Sequence, residues 1–197
     1  DGQSHIGVSG PLAGRIFKEK VTNPNNSIAL GHNKMGVAEP EFAFKISTLI
    51  KPNKTLFSVE EVMELVDTLH LAIEFPDSRF DNFSSVGELN LIADNACADQ
   101  FVISSPIETD WKNIDLSNFK LSISNSKFSY QGIGSNVLGD PRIALTWLVN
   151  ELSQNNIVLE KDMIVSTGTC SKPIPVVTGD IVTANFGELG EITVNLK

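Results

Sequence analysis

Glu39-Pro40-Glu41 sets two carboxylates two residues apart inside a strand-like pattern that runs from Met35 to Ile50. On a strand, alternate side chains share a face, so Glu39 and Glu41 would point the same way, together with Val37 and Ala43. Held together without a cation, the two charges repel and raise each other's pKa. A hard divalent ion removes that conflict, because all-oxygen donors suit Mg²⁺, Mn²⁺ or Ca²⁺. The same Glu-x-Glu pattern also describes a solvated strand face, so a third carboxylate matters. Glu74 lies in Leu71-Ala-Ile-Glu-Phe75, with an apolar residue on either side. A glutamate in such a run needs a partner, either a metal or a cation such as Arg79. His32 and Lys34 immediately precede the Glu-x-Glu strand and are candidate acid–base groups; their alternative is a solvated loop. Gly168-Thr169 reads by itself as a strand-end turn. Asp94 and Asn95 are candidates for supporting the site or for closing a helix.

The elements that must carry these residues follow from local patterns. Residues 1–35 read as mostly irregular, with Gly10-Pro11 and Asn23-Pro-Asn-Asn26 as loop chemistry. Pro40 places its part of the Met35–Ile50 strand at an edge or entry. Ser58-Val-Glu-Glu61 is a capping box, and Val59, Val62, Leu65, Val66 and Leu69 predict a helix over 59–69. His70 then packs at the end of that helix, and Leu71–Phe75 is a short buried strand. Ser85-Val-Gly-Glu88 is a second capping box, for a helix carrying Val86, Leu89, Ile92, Ala93 and Ala96. Gln100–Ser104 is a strand, and Phe119–Ser124 with Lys127–Gln131 form a hairpin. Asp140-Pro141 starts a helix with its stripe at Ile143, Ala144, Trp147, Leu148 and Leu152. Strand patterns broken by Pro and Gly occupy the region from Met163 onward. Strands outnumber helices in an irregular order, which predicts an α+β fold: a mixed sheet folded on itself, with a few covering helices.

Composition narrows the function classes. One domain is the expectation for 197 residues. The net charge is −9 and no basic stripe is visible, which argues against nucleic acid. The absence of a long apolar run argues against a membrane span. Cys97 and Cys170 fit no metal or redox spacing, and the expected location is cytoplasmic, or exported if a leader preceded Asp1.

Several segments together resemble the fumarylacetoacetate hydrolase superfamily, in its 2-oxopent-4-enoate hydratase and 4-oxalocrotonate decarboxylase branch. Ala38-Glu-Pro-Glu-Phe-Ala-Phe44 is similar to the family's Glu-x-Glu metal strand, and Ala72-Ile-Glu-Phe-Pro-Asp-Ser-Arg-Phe80 to its third-ligand segment. Leu91–Ala96 resembles the helix after it, and Gly139–Leu152 a helix that usually begins Gly-His-Pro. Ser166-Thr-Gly-Thr169 and Pro175–Asp180 resemble the terminal substrate loops. The resemblance implies a mixed β-sheet roll of the superfamily's C-terminal type over residues 1–197, and a Mg²⁺ or Mn²⁺ site at Glu39, Glu41 and Glu74. It implies a homo-oligomer and a small 2-oxo acid substrate, contacted by Gly168 and Thr169 with Asp94 and Asn95 nearby. The implied reaction is hydration of a 2-hydroxy-dienoate or 2-oxo-alkenoate to a 4-hydroxy-2-oxo acid. Decarboxylation of a 2-oxo acid, a C–C hydrolase, and a binding protein for small carboxylates are the alternatives.

The chain departs from the family pattern in one respect. The family's N-terminal helical segment and its lysine in a Gly-x-Lys-x-Gly signature have no counterpart, and Lys34 in His32-Asn-Lys-Met-Gly36 is the nearest substitute. The expectation is that the missing group lies outside this sequence, comes from another subunit, or is lost together with full activity.

Overall fold

The computed structural model describes residues 8–197; His5 lies outside that range. Its elements in chain order are β1 (Val21–Thr22), β2 (Ser27–Ile28), β3 (Val37–Ile46), α1 (Val59–Glu64), β4 (Val66–Phe75), α2 (Glu88–Ala93) and β5 (Gln100–Ile103). They continue with β6 (Lys120–Ser124), β7 (Ser129–Ile133), α3 (Pro141–Gln154), β8 (Ile164–Thr169), β9 (Ile174–Pro175), β10 (Ile181–Asn185) and β11 (Glu191–Leu196). The first sheet has the order β1-β5-β4-β3-β8, with β9 also paired to β3; the second has the order β2-β11-β10-β6-β7. The β1–β5 and β2–β11 pairs are parallel and the other pairs antiparallel. Both sheets are therefore mixed, as the α+β reading expected.

The ten-residue strands β3 and β4 form the spine. Along β3, Phe42, Phe44 and Ile46 point into the core, and along β4 so do Leu69, Leu71, Ile73 and Phe75. Phe42 meets Phe186 edge-on at 5.2 Å and Phe119 at 6.0 Å, which joins the first sheet to the second through offset aromatic contacts. Helix α3 closes the core with Ala144, Leu145 and Val149. Asp140 caps its start by accepting the Arg142 N–H at 2.7 Å, and Pro141 occupies the first turn, where a missing N–H costs nothing.

Because strand side chains alternate, the opposite face of the spine carries Glu39, Glu41, Ala43 and Lys45 on β3, and His70, Ala72 and Glu74 on β4. Ala43, Ala72, Phe101 and Ile103 make a small apolar floor there, covered by Ile16. The covering segment lies close to its neighbours. A Cβ on Gly14 would stand 2.2 Å from the Asn95 carbonyl oxygen. The Asn95 side chain accepts from Arg15 N at 2.7 Å and donates to Arg15 O at 2.8 Å.

Four local expectations are corrected. The helix predicted over 59–69 ends at Glu64, with Leu65 at its C-cap. From Leu69 the apolar residues recur every second position, and ten residues of pairing with β3 outweigh the helical spacing. His70 is consequently a buried strand residue rather than a helix end. Pro40 is interior, not at an edge: β4 flanks it on one side and the changeover from β8 to β9 on the other. Its carbonyl accepts from Cys170 N at 2.9 Å. A residue's N and C=O point to the same side of a strand, so the missing N–H faces the gap between β8 and β9 and no ladder bond to β4 is lost. The second capping box is not used: α2 begins after Gly87 with no side-chain cap, and the Glu88 carboxylate instead accepts from Ser9 N at 2.8 Å and Ser9 Oγ at 2.7 Å.

Candidate metal centre

Glu39 and Glu74 are directly opposed across the β3–β4 ladder, and Glu41 faces Ala72, whose methyl leaves room above it. One carboxylate oxygen from each of Glu39, Glu41 and Glu74 lies within 4.8 Å of the others. Like charges opposed on a sheet destabilise it unless something offsets them. Glu41 is 1% exposed, and the other two are half-buried.

The strand on the other side of Glu41 supplies donors. Between Glu41 and Ala43, β8 advances from Thr169 to Ser166, so three steps on β8 face two on β3. That extra residue is a bulge, and Gly168 sits in it with φ +103°, a conformation that glycine adopts without strain. The bulge turns the Gly168 N–H onto Glu41 Oε2 at 3.0 Å, and the Ser166 hydroxyl donates to the same oxygen. Thr167 Oγ1 bonds the Phe42 carbonyl at 2.9 Å, taking up a β3 acceptor beside the bulge. Glu41 Oε1 is buried and has no hydrogen-bond partner.

The electrostatics follow from this crowding. Burial, then the charge of Glu41, pushes the Glu39 carboxyl up to about 8. Burial raises Glu74 well above the usual carboxylate range, with the charges of Glu41 and Glu39 adding to it. Burial also raises Glu41, against the lowering effect of its hydrogen bonds with Ser166, Gly168 and Glu74. Three carboxylates this close resist simultaneous ionisation. An ion held at about 2.0–2.6 Å from each oxygen accommodates ligand oxygens up to about twice that far apart. The spread of the trio, its all-oxygen chemistry and the orphaned Glu41 Oε1 all fit a divalent cation.

The remaining sequence candidates take other places. Asp94 is buried and ties down the chain that follows β4: it accepts from Ser78 Oγ at 2.5 Å, Arg79 N at 3.0 Å and Arg79 Nε. Burial acts to raise its carboxyl, but the Ser78 and Arg79 hydrogen bonds hold it below the usual range. Arg79 thus pairs with Asp94 rather than Glu74. Asn95 spends its amide on Arg15 and on the Ala98 carbonyl at 3.4 Å. Asp94 and Asn95 therefore both tie down neighbouring backbone, at Arg79 and at Arg15. Lys34 Nζ bonds Asp81 at 2.6 Å and the Arg79 carbonyl at 2.9 Å, an exposed pairing with groups other than the trio. His32 is exposed in a turn. Thr169 stands beside Glu41 in the register, but its hydroxyl donates to Ser171 O at 2.9 Å. Cys97 is buried, and burial and the Asp94 and Glu74 charges push its thiol up to about 11, which removes it as a nucleophile at neutral pH. Sequence reasoning gave no role to Ser166, because a bulge breaks the alternation from which a shared face is read.

No family model matches the chain. The 2-oxo-hept-4-ene-1,7-dioate hydratase of Escherichia coli is 26% identical over 199 residues, covering 97% of this chain and 73% of that protein. The 4-oxalocrotonate decarboxylase from Pseudomonas putida G7, complexed with magnesium and adipate, superposes with a TM-score of 0.86 at 20% identity, over 99% of this chain and 73% of that one. A second structure of that decarboxylase is complexed with calcium and acetate. A fumarylacetoacetate hydrolase family protein from Yersinia pestis CO92 matches at TM-score 0.68 and 16% identity, over 90% of this chain and 81% of that one. Among the described residues no helix is long and apolar enough to cross a membrane. The chain is thus similar over nearly its whole length to a 2-oxo-hept-4-ene-1,7-dioate hydratase, and it shares the fold of the 4-oxalocrotonate decarboxylase and of the fumarylacetoacetate hydrolase family protein.

Proposed function

We propose that Glu39, Glu41 and Glu74 hold one Mg²⁺ or Mn²⁺ ion, and that the chain is a hydratase for a short 2-hydroxy-dienoate or 2-oxo-alkenoate, forming a 4-hydroxy-2-oxo acid. The observation that carries this reading is the trio itself: three glutamates converging within 4.8 Å, one with a buried and unpartnered oxygen. When bound, such an ion supplies a Lewis acid for a carboxylate and 2-oxo group and steadies negative charge on the 2-oxygen. The protein's part is placement. The β3–β4 register opposes Glu39 and Glu74, and the β8 bulge fixes Glu41 between them. Asp94 anchors the backbone at Ser78 and Arg79, just beyond Glu74. The floor of Ala43, Ala72, Phe101 and Ile103 under Ile16 excludes water from one side of the trio, which strengthens charge interactions there. Gly168 and Thr169 border the site on the β8 side, where a substrate carboxylate would be received.

The hydratase reading is supported by the 26% identity to the Escherichia coli hydratase over 97% of the chain. Decarboxylation of a 2-oxo acid is the second reading, favoured by the TM-score of 0.86 to a 4-oxalocrotonate decarboxylase. One pair of assays separates them: Mg²⁺-dependent loss of the dienol absorbance of 2-hydroxypenta-2,4-dienoate, and CO₂ release from 4-oxalocrotonate. Turnover of the first substrate without CO₂ from the second is the expected result. CO₂ release alone selects the decarboxylase. Mg²⁺ binding with neither reaction overturns both and leaves a carboxylate-binding protein.

A further inference from the structure

Glu41 has two very different oxygens. Oε2 receives the Ser166 hydroxyl and the Gly168 N–H, while the buried Oε1 receives no N–H or hydroxyl among the described residues; the crowded Glu74 carboxyl is the other group bonded to Glu41. A buried carboxylate oxygen without a donor is costly, and native structures seldom keep one without a reason. Both donors come from the same bulge. The extra residue of β8 brings Ser166 opposite Ala43, two residues along β3 from Glu41, and Gly168 supplies the positive φ that aims its N–H inward. Thr167, between them, has its hydroxyl on the Phe42 carbonyl and does not touch the carboxylate.

We propose that Ser166 is a positioning residue for the cation: with Gly168 it occupies Glu41 Oε2, locks the carboxylate rotation, and commits Glu41 to binding through Oε1 alone. This inference rests on the reading of Glu39, Glu41 and Glu74 as a metal site. Hydrogen bonds to the non-ligating atom of a metal ligand fix its orientation, and their loss typically weakens metal affinity about 10–100-fold. Without the hydroxyl, Glu41 keeps one donor on Oε2 and is free to turn, so that either oxygen or both reach the ion. The role separates Ser166 from its neighbour: two hydroxyls one residue apart on the same bulge differ in whether their acceptor is a carboxylate or a backbone carbonyl.

The test is Mn²⁺ binding by the whole chain, followed by calorimetric titration and by the electron paramagnetic resonance spectrum of bound Mn²⁺, with no substrate present. Ser166→Thr keeps a hydroxyl, Ser166→Val has nearly the same shape without one, and Thr167→Val removes the adjacent hydroxyl as a control. The expected result is a 10–100-fold loss of affinity and an altered Mn²⁺ spectrum in Ser166→Val, with near wild-type binding in Ser166→Thr and Thr167→Val. Equal affinities and spectra for Ser166→Val and Ser166→Thr, with wild-type binding intact, overturn the role of Ser166 and leave the metal site standing. Failure of the wild-type chain itself to bind Mn²⁺ overturns the metal site, a separate outcome. Ser166→Ala repeats the comparison with a smaller side chain, should the valine variant fold poorly.

Discussion

Removing the cation should make the protein lose stability as pH rises, through the carboxyl of Glu39. Its ordinary pKa is 4.5, and in the folded chain desolvation, then the charge of Glu41 beside it on β3, pushes it up to about 8. A raised carboxyl pKa means that the folded state binds the proton more tightly than the unfolded state. Its contribution is therefore complete below 4.5 and is lost as pH climbs through about 8. Each pH unit inside that window removes about 1.4 kcal/mol. His70 works in the opposite direction at lower pH: burial lowers its pKa, so its contribution is lost as pH falls through the histidine range. Starting at about pH 6.5, where exposed histidine is half-titrated, leaves most of the later change to the trio. Between about pH 6.5 and 8 the metal-free protein should lose about 2 kcal/mol from Glu39 alone. The assay is urea unfolding at several pH values in a chelator, repeated with saturating Mn²⁺. Bound ion requires ionised ligands, so the fall should vanish or reverse with Mn²⁺. Glu39→Gln should remove the Glu39 share of the metal-free slope and leave the part carried by Glu74 and Glu41, whose carboxyls are also raised. A metal-free profile that is already flat from pH 6.5 to 8 would refute the crowding of three carboxylates in one desolvated site.

Other expectations follow from particular contacts. Glu41→Ala and Glu74→Ala should each abolish Mn²⁺ binding in calorimetry while the circular dichroism spectrum stays that of the folded chain; retained affinity in either removes that residue from the ligand set. Asp94→Ala leaves Ser78 and Arg79 without their shared acceptor and should destabilise by about 2–4 kcal/mol in urea unfolding. Gly14→Ala places a methyl 2.2 Å from the Asn95 carbonyl oxygen and should cost about 1–3 kcal/mol by displacing the segment over the Ala43–Ala72 floor. Cys97, buried with its thiol pushed to about 11, should resist a thiol reagent in the native state at pH 8 and react once urea unfolds the chain.

Much of this site was legible in the sequence because its signals are local. Period-two spacing put Glu39 and Glu41 on one face, and an apolar setting marked Glu74 as a charge in need of a partner. The Asp140-Pro141 helix start is also decided within one turn of chain, and it stands in the structure where the residues placed it. Only the tertiary structure could decide the rest. The β3–β4 register opposes Glu39 to Glu74 through contacts 35 residues apart in the chain, and no local pattern encodes register between distant strands. The same pairing overrode the helical spacing of residues 65–69 and brought Pro40 inside the sheet. Asp94 and Asn95 stood in the sequence as groups that support the site or close a helix, and only folding gave them their backbone partners at Arg79 and Arg15. Ser166 stood in the sequence only as part of a segment resembling a substrate loop, with nothing to pair it with Glu41. Its hydroxyl reaches Glu41 across 125 positions of chain, through a bulge that exists only once β8 has paired with β3.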